Sequence, residues 1–273
     1  VTPAHTEEDA MDRDLEGGRE VGRDYERDHG DEPPPAIRDA APDYLALIDA
    51  SSPVSGHSPA PESTGSHADA PEQDWTSARG LLYPAFRPVG TQGLAIDKID
   101  LVTLAAHAAQ SHAQPLLDAG PLGLPIVYTL DAGAYDIVVN GDHLLSWGVE
   151  PSEIQDVALR NLAAWSATAP WTDEVSGDRR LISSDTGHGW DAARILLPEV
   201  VAHLVSELGS VGRILVGLPE RHTLIAGSLR PGDEAFLALF ADFIVEQAGA
   251  ADEPIDRRVF EIVDGRLVES PGV

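Results

Sequence analysis

Residues 213–227 read RILVGLPERHTLIAG. Two β-rich apolar runs, 213–218 and 222–227, flank the tetrapeptide Leu218-Pro219-Glu220-Arg221. Pro219 stands at the second position, where a type I turn accepts the fixed φ of proline. The pattern predicts a β-hairpin. Working outward, two more stretches have the same form. Residues 124–130 and 135–139 are β-rich and are separated by Asp131-Ala132-Gly133-Ala134. Residues 259–263 and Leu267-Val268 flank Asp264-Gly265, a strong two-residue turn signal. Residues 81–87 read as a further strand, and 181–184 as a short one after a polar loop over 170–180.

Between these lie helix patterns. Pro151 suits a first helical turn, and Ile154, Val157, Ala158, Leu162 and Trp165 continue at spacings of three and four. Residues 192–208 carry Leu196, Val200, Leu204 and Leu208 as one stripe, with Pro198 predicting a kink or the true start. Residues 236–247 form a last amphipathic segment. Asp97 or Asp100 predicts the cap of a helix running to about Asp118. Hairpins alternating with helices predict an α+β fold, a largely antiparallel sheet built from hairpins with helices packed on it. A hairpin–helix unit recurs at 124–165 and 212–247 without a repeat at the level of residues.

The charge is uneven. The 273 residues carry a net charge of −28, and residues 1–75 hold 19 acidic residues against 5 arginines. That segment has few large apolar residues and cannot offset its ordering entropy, so it is expected to be a disordered acidic arm, Pro/Ser/Gly-rich over 51–73. Tyr44-Leu45-Ala46-Leu47-Ile48 is its one apolar patch, a short recognition helix, a segment that docks back, or neither. A single α+β domain is expected over 76–273. Nucleic acid and anionic membranes are excluded as expected partners, because both are polyanions that need clustered Lys/Arg. The chain has no cysteine, which excludes thiolate chemistry and disulfides. No secretory h-region stands in the first thirty residues and no run of 18 to 20 apolar residues occurs, so a cytoplasmic location is expected.

The polar residues that bear chemistry gather around Gly187-His188-Gly189-Trp190-Asp191-Ala192-Ala193-Arg194. Asp185, His188 and Asp191 are three apart, a carboxylate and imidazole set that a loop could fold around zinc, manganese or iron. The competing expectation for Asp191 is an N-cap of the following helix. Arg194 is expected to pair with Asp191 across one turn, or to clamp an anion. Asn161, between apolar helix positions, needs hydrogen bonds and is expected to pin a neighbouring loop. His222 is either an acid–base group or a hairpin-turn surface histidine. His107 and His112 do not share a helix face. Walker, dinucleotide, serine-elbow, zincin and EF-hand patterns are absent, and no cofactor is expected.

Tyr128-Thr129-Leu130-Asp131, Ala158-Leu159-Arg160-Asn161-Leu162, the run from Gly189 through Asp191 and Arg194 to Leu196, and the run from Val216 to His222 occur in order. Together they resemble the YtpQ-like family of uncharacterised bacterial proteins, a domain of unknown function, over about 124–268. The family usually has Ser where Ala193 stands and Asp where His222 stands. The resemblance implies that any chemistry carried there by relatives is impaired or altered in this chain. It supplies no established activity or cofactor. The expected function is therefore a protein-interaction or regulatory module with a candidate surface at Asn161, His188, Asp191, Arg194 and His222. The alternatives are a hydrolase or metal-assisted enzyme around Asp191, Arg194 and His222, and an acidic mimic of nucleic acid.

Overall fold

The computed structural model describes residues 70–133, 135–210 and 212–271. The expectations for the arm, Tyr44 to Ile48 included, lie outside the described residues. The described residues open on a 3₁₀ turn at Pro71–Gln73. The Glu72 carbonyl accepts from Trp147 Nε1, which ties that turn to the domain.

The helices are α1 (Trp75–Ala78), α2 (Leu101–Ala106), α3 (Gly141–Trp147), α4 (Pro151–Ser166), α5 (Pro198–Leu208) and α6 (Glu234–Ala250). The first sheet contains β1 (Leu82–Phe86), β2 (Leu94–Ala95), β3 (Leu116–Ala119), β4 (Pro125–Asp131) and β5 (Asp136–Val138). Its order is β1-β4-β3-β2, with β5 also paired to β4. The second contains β6 (Thr172–Ser176), β7 (Arg179–Ser184), β8 (Arg213–Gly217), β9 (Leu224–Leu229), β10 (Val259–Val263) and β11 (Arg266–Glu269), in the order β11-β10-β8-β9-β7-β6. Every pairing is antiparallel except β2 with β3. The fold is α+β, with two sheets where one was expected.

All three expected hairpins form, as β4–β5, β8–β9 and β10–β11, but the middle one turns at 220–223 rather than at 218–221: the Thr223 amide donates to the Glu220 carbonyl at 3.2 Å, and β9 starts at Leu224. Asp264 and Gly265 both take positive φ, the backbone that a two-residue hairpin turn requires. Two further local expectations need correction, and a third, left open between a kink and a true start at Pro198, is decided. The helix after Asp100 ends at Ala106, far short of Asp118, although Asp100 does cap it by accepting from the Val102 and Thr103 amides. Beyond Ala106 the chain offers only small and polar residues until Pro115, so no apolar face sustains another turn. The polar loop over 170–180 contains β6, an edge strand exposed throughout. An edge strand with nothing packed on it needs no apolar alternation, and Arg180 on β7 holds Asp173 on β6 with two hydrogen bonds of 2.8 and 2.9 Å. Residues 192–196 form a 3₁₀ turn, and Pro198 is the true start of α5.

One core joins the two sheets. Leu82, Phe86, Tyr128 and Leu130 belong to the same buried cluster as Val216, Leu224, Ala226 and Phe260. The second sheet is buried on both faces. Ile214, Val216, Leu224, Ala226, Phe260 and Ile262 face the shared core, whereas Leu215, Ile225, Leu229 and Val259 lie under α6 with Phe236, Phe240 and Ile244. Even and odd positions go to opposite faces, as the two-residue period of a strand demands. α6 comes so close over β8 that a Cβ on Gly217 would stand 2.0 Å from Ile244 Cδ1. Among the described residues no helix is long and apolar enough to cross a membrane.

β10 and β8 are also clasped by charge. The Arg213 guanidinium grips the buried Glu261 carboxylate with two nitrogens, and Ser270 Oγ donates to the same carboxylate at 2.5 Å. The hydrogen bond from Arg213 holds the Glu261 carboxyl below its ordinary value of 4.5, with burial opposing it.

Two outcomes are expected. Gly217→Ala should destabilise the domain by about 1–3 kcal/mol in urea unfolding, because the added methyl must push α6 off the sheet; an unchanged midpoint would refute this packing. Glu261→Gln should cost stability at neutral pH and less in acid. The folded carboxyl titrates below its ordinary value, so its contribution is complete above that value and is lost as pH falls through the folded one. Unfolding midpoints measured against pH check this, and a variant deficit that stays constant into acid would contradict it.

Candidate functional site

Among the described residues Arg194 is the largest side chain to be fully buried, at 1% exposure. A guanidinium has five N–H donors, and each has an acceptor here. Nε donates to Ser166 Oγ at 3.0 Å, Nη2 to the Ser166 and Ala169 carbonyls at 3.1 and 3.4 Å, and Nη1 to Ser184 Oγ and the Pro170 carbonyl at 2.6 and 3.3 Å. The Ala169 and Pro170 carbonyls lie in the loop after α4, and the Ser166 carbonyl is one of the last in that helix. A helix leaves its last carbonyls without internal partners and with partial negative charge, which suits a cation. The guanidinium also lies over the Trp171 ring, 3.6 Å from its centroid. Burial pushes the Arg194 pKa down to about 10, against the opposing field of Asp191, so the group stays charged at neutral pH.

Asp191 is completely buried. It does not cap the following turn, whose N-cap has no side-chain hydrogen bond. Its carboxylate points back along the chain instead. Oδ1 accepts from Ser184 Oγ at 2.5 Å and the Thr186 amide at 3.1 Å, and Oδ2 accepts from Thr186 Oγ1 at 2.9 Å. The expected one-turn pair with Arg194 is thus indirect. Ser184, at the end of β7, accepts from Arg194 and donates to Asp191, so a single hydroxyl bridges cation and anion.

The other candidates do not join this network. Asn161 Nδ2 donates to the Arg79 and Leu82 carbonyls at 2.8 and 2.9 Å and fixes the entry to β1, the expected loop-pinning role. His188 is exposed and stacks on Trp190, with centroids 5.6 Å apart. Trp190 is buried, with Tyr83 stacked 3.7 Å away. Asp185 and His188 are exposed while Asp191 is sealed, so that trio does not converge, and among the described residues no three His, Cys, Asp or Glu side chains are grouped to hold a metal ion. No hydrogen bond joins His222 to Asp191.

His222 instead lines an open cleft of about 760 Å³ with Arg87, Asp136, Val138, Glu220, Arg221, Asp252 and Glu253 among its walls. The network described above positions one side of it. The Ala192 amide donates to the Arg221 carbonyl at 3.2 Å. Gly189, at φ +82°, lets the Arg221 guanidinium pass where any Cβ would meet it within 2.7 Å. Arg221 then pairs with Asp136 on β5 and, at 2.8 Å, with Glu253. Burial opposes the Arg221 charge, yet the two carboxylates outweigh it and raise its pKa above the ordinary value. His222 Nδ1 is buried without a hydrogen-bond partner among the described residues.

Sequence reasoning picked out both halves of this junction, 187–194 and 218–222, but missed Ser166, Ser184 and Thr186 in the network and Asp136, Asp252 and Glu253 in the cleft. Each is an ordinary residue at a strand, turn or helix end, where no local pattern announces its distant partner.

No protein-family model, curated protein or solved structure matches this chain.

Ser184→Ala should cost about 1–3 kcal/mol, since it leaves one buried N–H and one carboxylate oxygen without their shared partner. Combined with Asp191→Asn, it should show a non-additive coupling of at least about 0.5 kcal/mol in a double-mutant cycle of urea unfolding. Strict additivity would mean that the hydroxyl does not bridge the two charges.

Proposed function

We propose that the chain is a protein-interaction or regulatory module of the YtpQ-like kind, and that it receives a protein partner at the cleft between β5 and the β8–β9 turn. The observation that carries this reading is the fate of the motif residues. Asp191 and Arg194 spend their hydrogen-bonding capacity inside the domain, and what they support at the surface is an open, ion-paired cleft. Such a cleft suits recognition, since its charged groups lie where a partner can reach them.

Charge supports a protein partner over nucleic acid. Four carboxylates line the cleft (Asp136, Glu220, Asp252 and Glu253) against two guanidiniums, on a chain of net charge −28. A polyphosphate would meet repulsion there, and a basic protein surface would be drawn in. The same charge favours action away from anionic membrane surfaces, and the cytoplasm is the location proposed. The competing reading, a hydrolase or metal-assisted enzyme working through Asp191, Arg194 and His222, draws support only from the unpartnered His222 nitrogen. An acid–base pair must meet directly or through one water, and Asp191 is turned inward to Ser184 and Thr186.

The test is capture of partners by the tagged full chain in its native host, with wild type beside Glu220→Lys/Asp252→Lys. One stoichiometric protein held by wild type and lost from the charge-reversed variant is expected. A metal or small molecule co-purifying with wild type, and no protein, would overturn the reading in favour of the enzyme.

A further inference from the structure

The cleft borders an open strand edge. β5 pairs with β4 on one side, and among the described strands it has no neighbour on the other. The direction of its main chain follows from the register. The Val139 amide donates to the Tyr128 carbonyl, and at the turn the Ala132 amide donates to Tyr135. Hydrogen-bonded pairs alternate along an antiparallel ladder, so the bonded pair between those two is Leu130 with Ile137. The N–H and C=O groups of Asp136 and Val138 therefore point away from β4, toward the open edge.

The faces are ordered as well. Asp136 and Val138 lie on the same face of the first sheet, and both line the cleft. A strand added to the β5 edge would carry every second side chain onto that face. Those side chains would enter the cleft, which Glu220 and Asp252 also line. Among the described residues neither carboxylate has a cationic partner, and Glu220 accepts only from Thr223 Oγ1, at 3.2 Å. Asp136 and Glu253 differ, since Arg221 already serves both.

We propose that the cleft takes an extended, basic peptide segment of a partner protein. The segment adds to β5 as a strand, bonded through the main chain of Asp136 and Val138, and places an arginine or lysine between Glu220 and Asp252. This rests on the interaction-module reading and specifies its mode. Main-chain bonds supply the affinity and the alternate basic side chain supplies the selectivity.

The experiment uses the full chain and three capped hexapeptides. One alternates Val and Arg, one alternates Val and Glu, and one repeats the Val/Arg sequence with alternate amides N-methylated. Binding is followed by titration calorimetry, and amide hydrogen exchange is followed at Asp136 and Val138. The Val/Arg peptide should bind and slow exchange at both amides. The Val/Glu peptide should not bind, and N-methylation should weaken binding about tenfold or more by removing ladder bonds while keeping the charge. Glu220→Gln/Asp252→Asn should weaken binding by a similar factor, and added salt should weaken it further. Val138→Pro should abolish binding, since it removes an N–H that points to the open edge and leaves the bonds to β4 intact. The N-methylated peptide gives the same information if that variant does not fold. Equal binding of the methylated and unmethylated peptides would overturn strand addition, and so would binding of neither. If the host partner is still captured by wild type and lost on charge reversal, the module reading survives that failure. If no partner is captured, both fall.

Discussion

The burial of one guanidinium organises the rest of this domain. A charged group in a protein interior is costly unless it is paired and fully hydrogen-bonded. Arg194 meets that condition with five acceptors drawn from three separate places: the end of α4, the loop after it, and the end of β7. None of these can move independently without leaving an N–H unpaired. Asp191 adds the loop after β7 to the same assembly through Ser184 and Thr186. Arg194 does the work of a helix cap, a loop tie and a sheet anchor together, which explains why so long a polar side chain sits where a leucine would otherwise stand.

The cleft inherits its shape from that interior. With the loop after β7 fixed, Gly189 and Ala192 are presented to the β8–β9 turn, and that turn is held by its own backbone rather than by its exposed side chains. Arg221 can then reach across to β5 and to Glu253, joining the two sheets at the mouth of the cleft. Asp191 and Arg194 thus lie one layer below the residues that face solvent. Ala193 is buried in the shared core, whereas His222 stands at the cleft.

Much of the fold was legible in local sequence. Hairpins were readable because strand period and turn chemistry are short-range. Pro219, Asp264-Gly265 and the run after Pro151 each restrict the backbone within a few residues. The start of α5 was legible for the same reason, since Pro198 lacks the N–H that an interior helical position would need. Asn161 was legible in role, because an amide among apolar helix positions must find acceptors, although nothing local named Arg79 and Leu82.

The sequence by itself determined that the domain is α+β, that hairpins carry it, and that Asp191 and Arg194 belong to one neighbourhood. Tertiary structure alone decided the rest. It divided the strands into two sheets, made β6 an edge strand, turned Asp191 away from its helix toward Ser184, and set His222 in a cleft apart from Asp191. The physical reason is the range of each force. Backbone propensity and hydrophobic period act over a few residues and are written in consecutive letters. A buried charge is satisfied by whichever carbonyls and hydroxyls the packed elements bring to it, and those lie as many as 28 residues away along the chain.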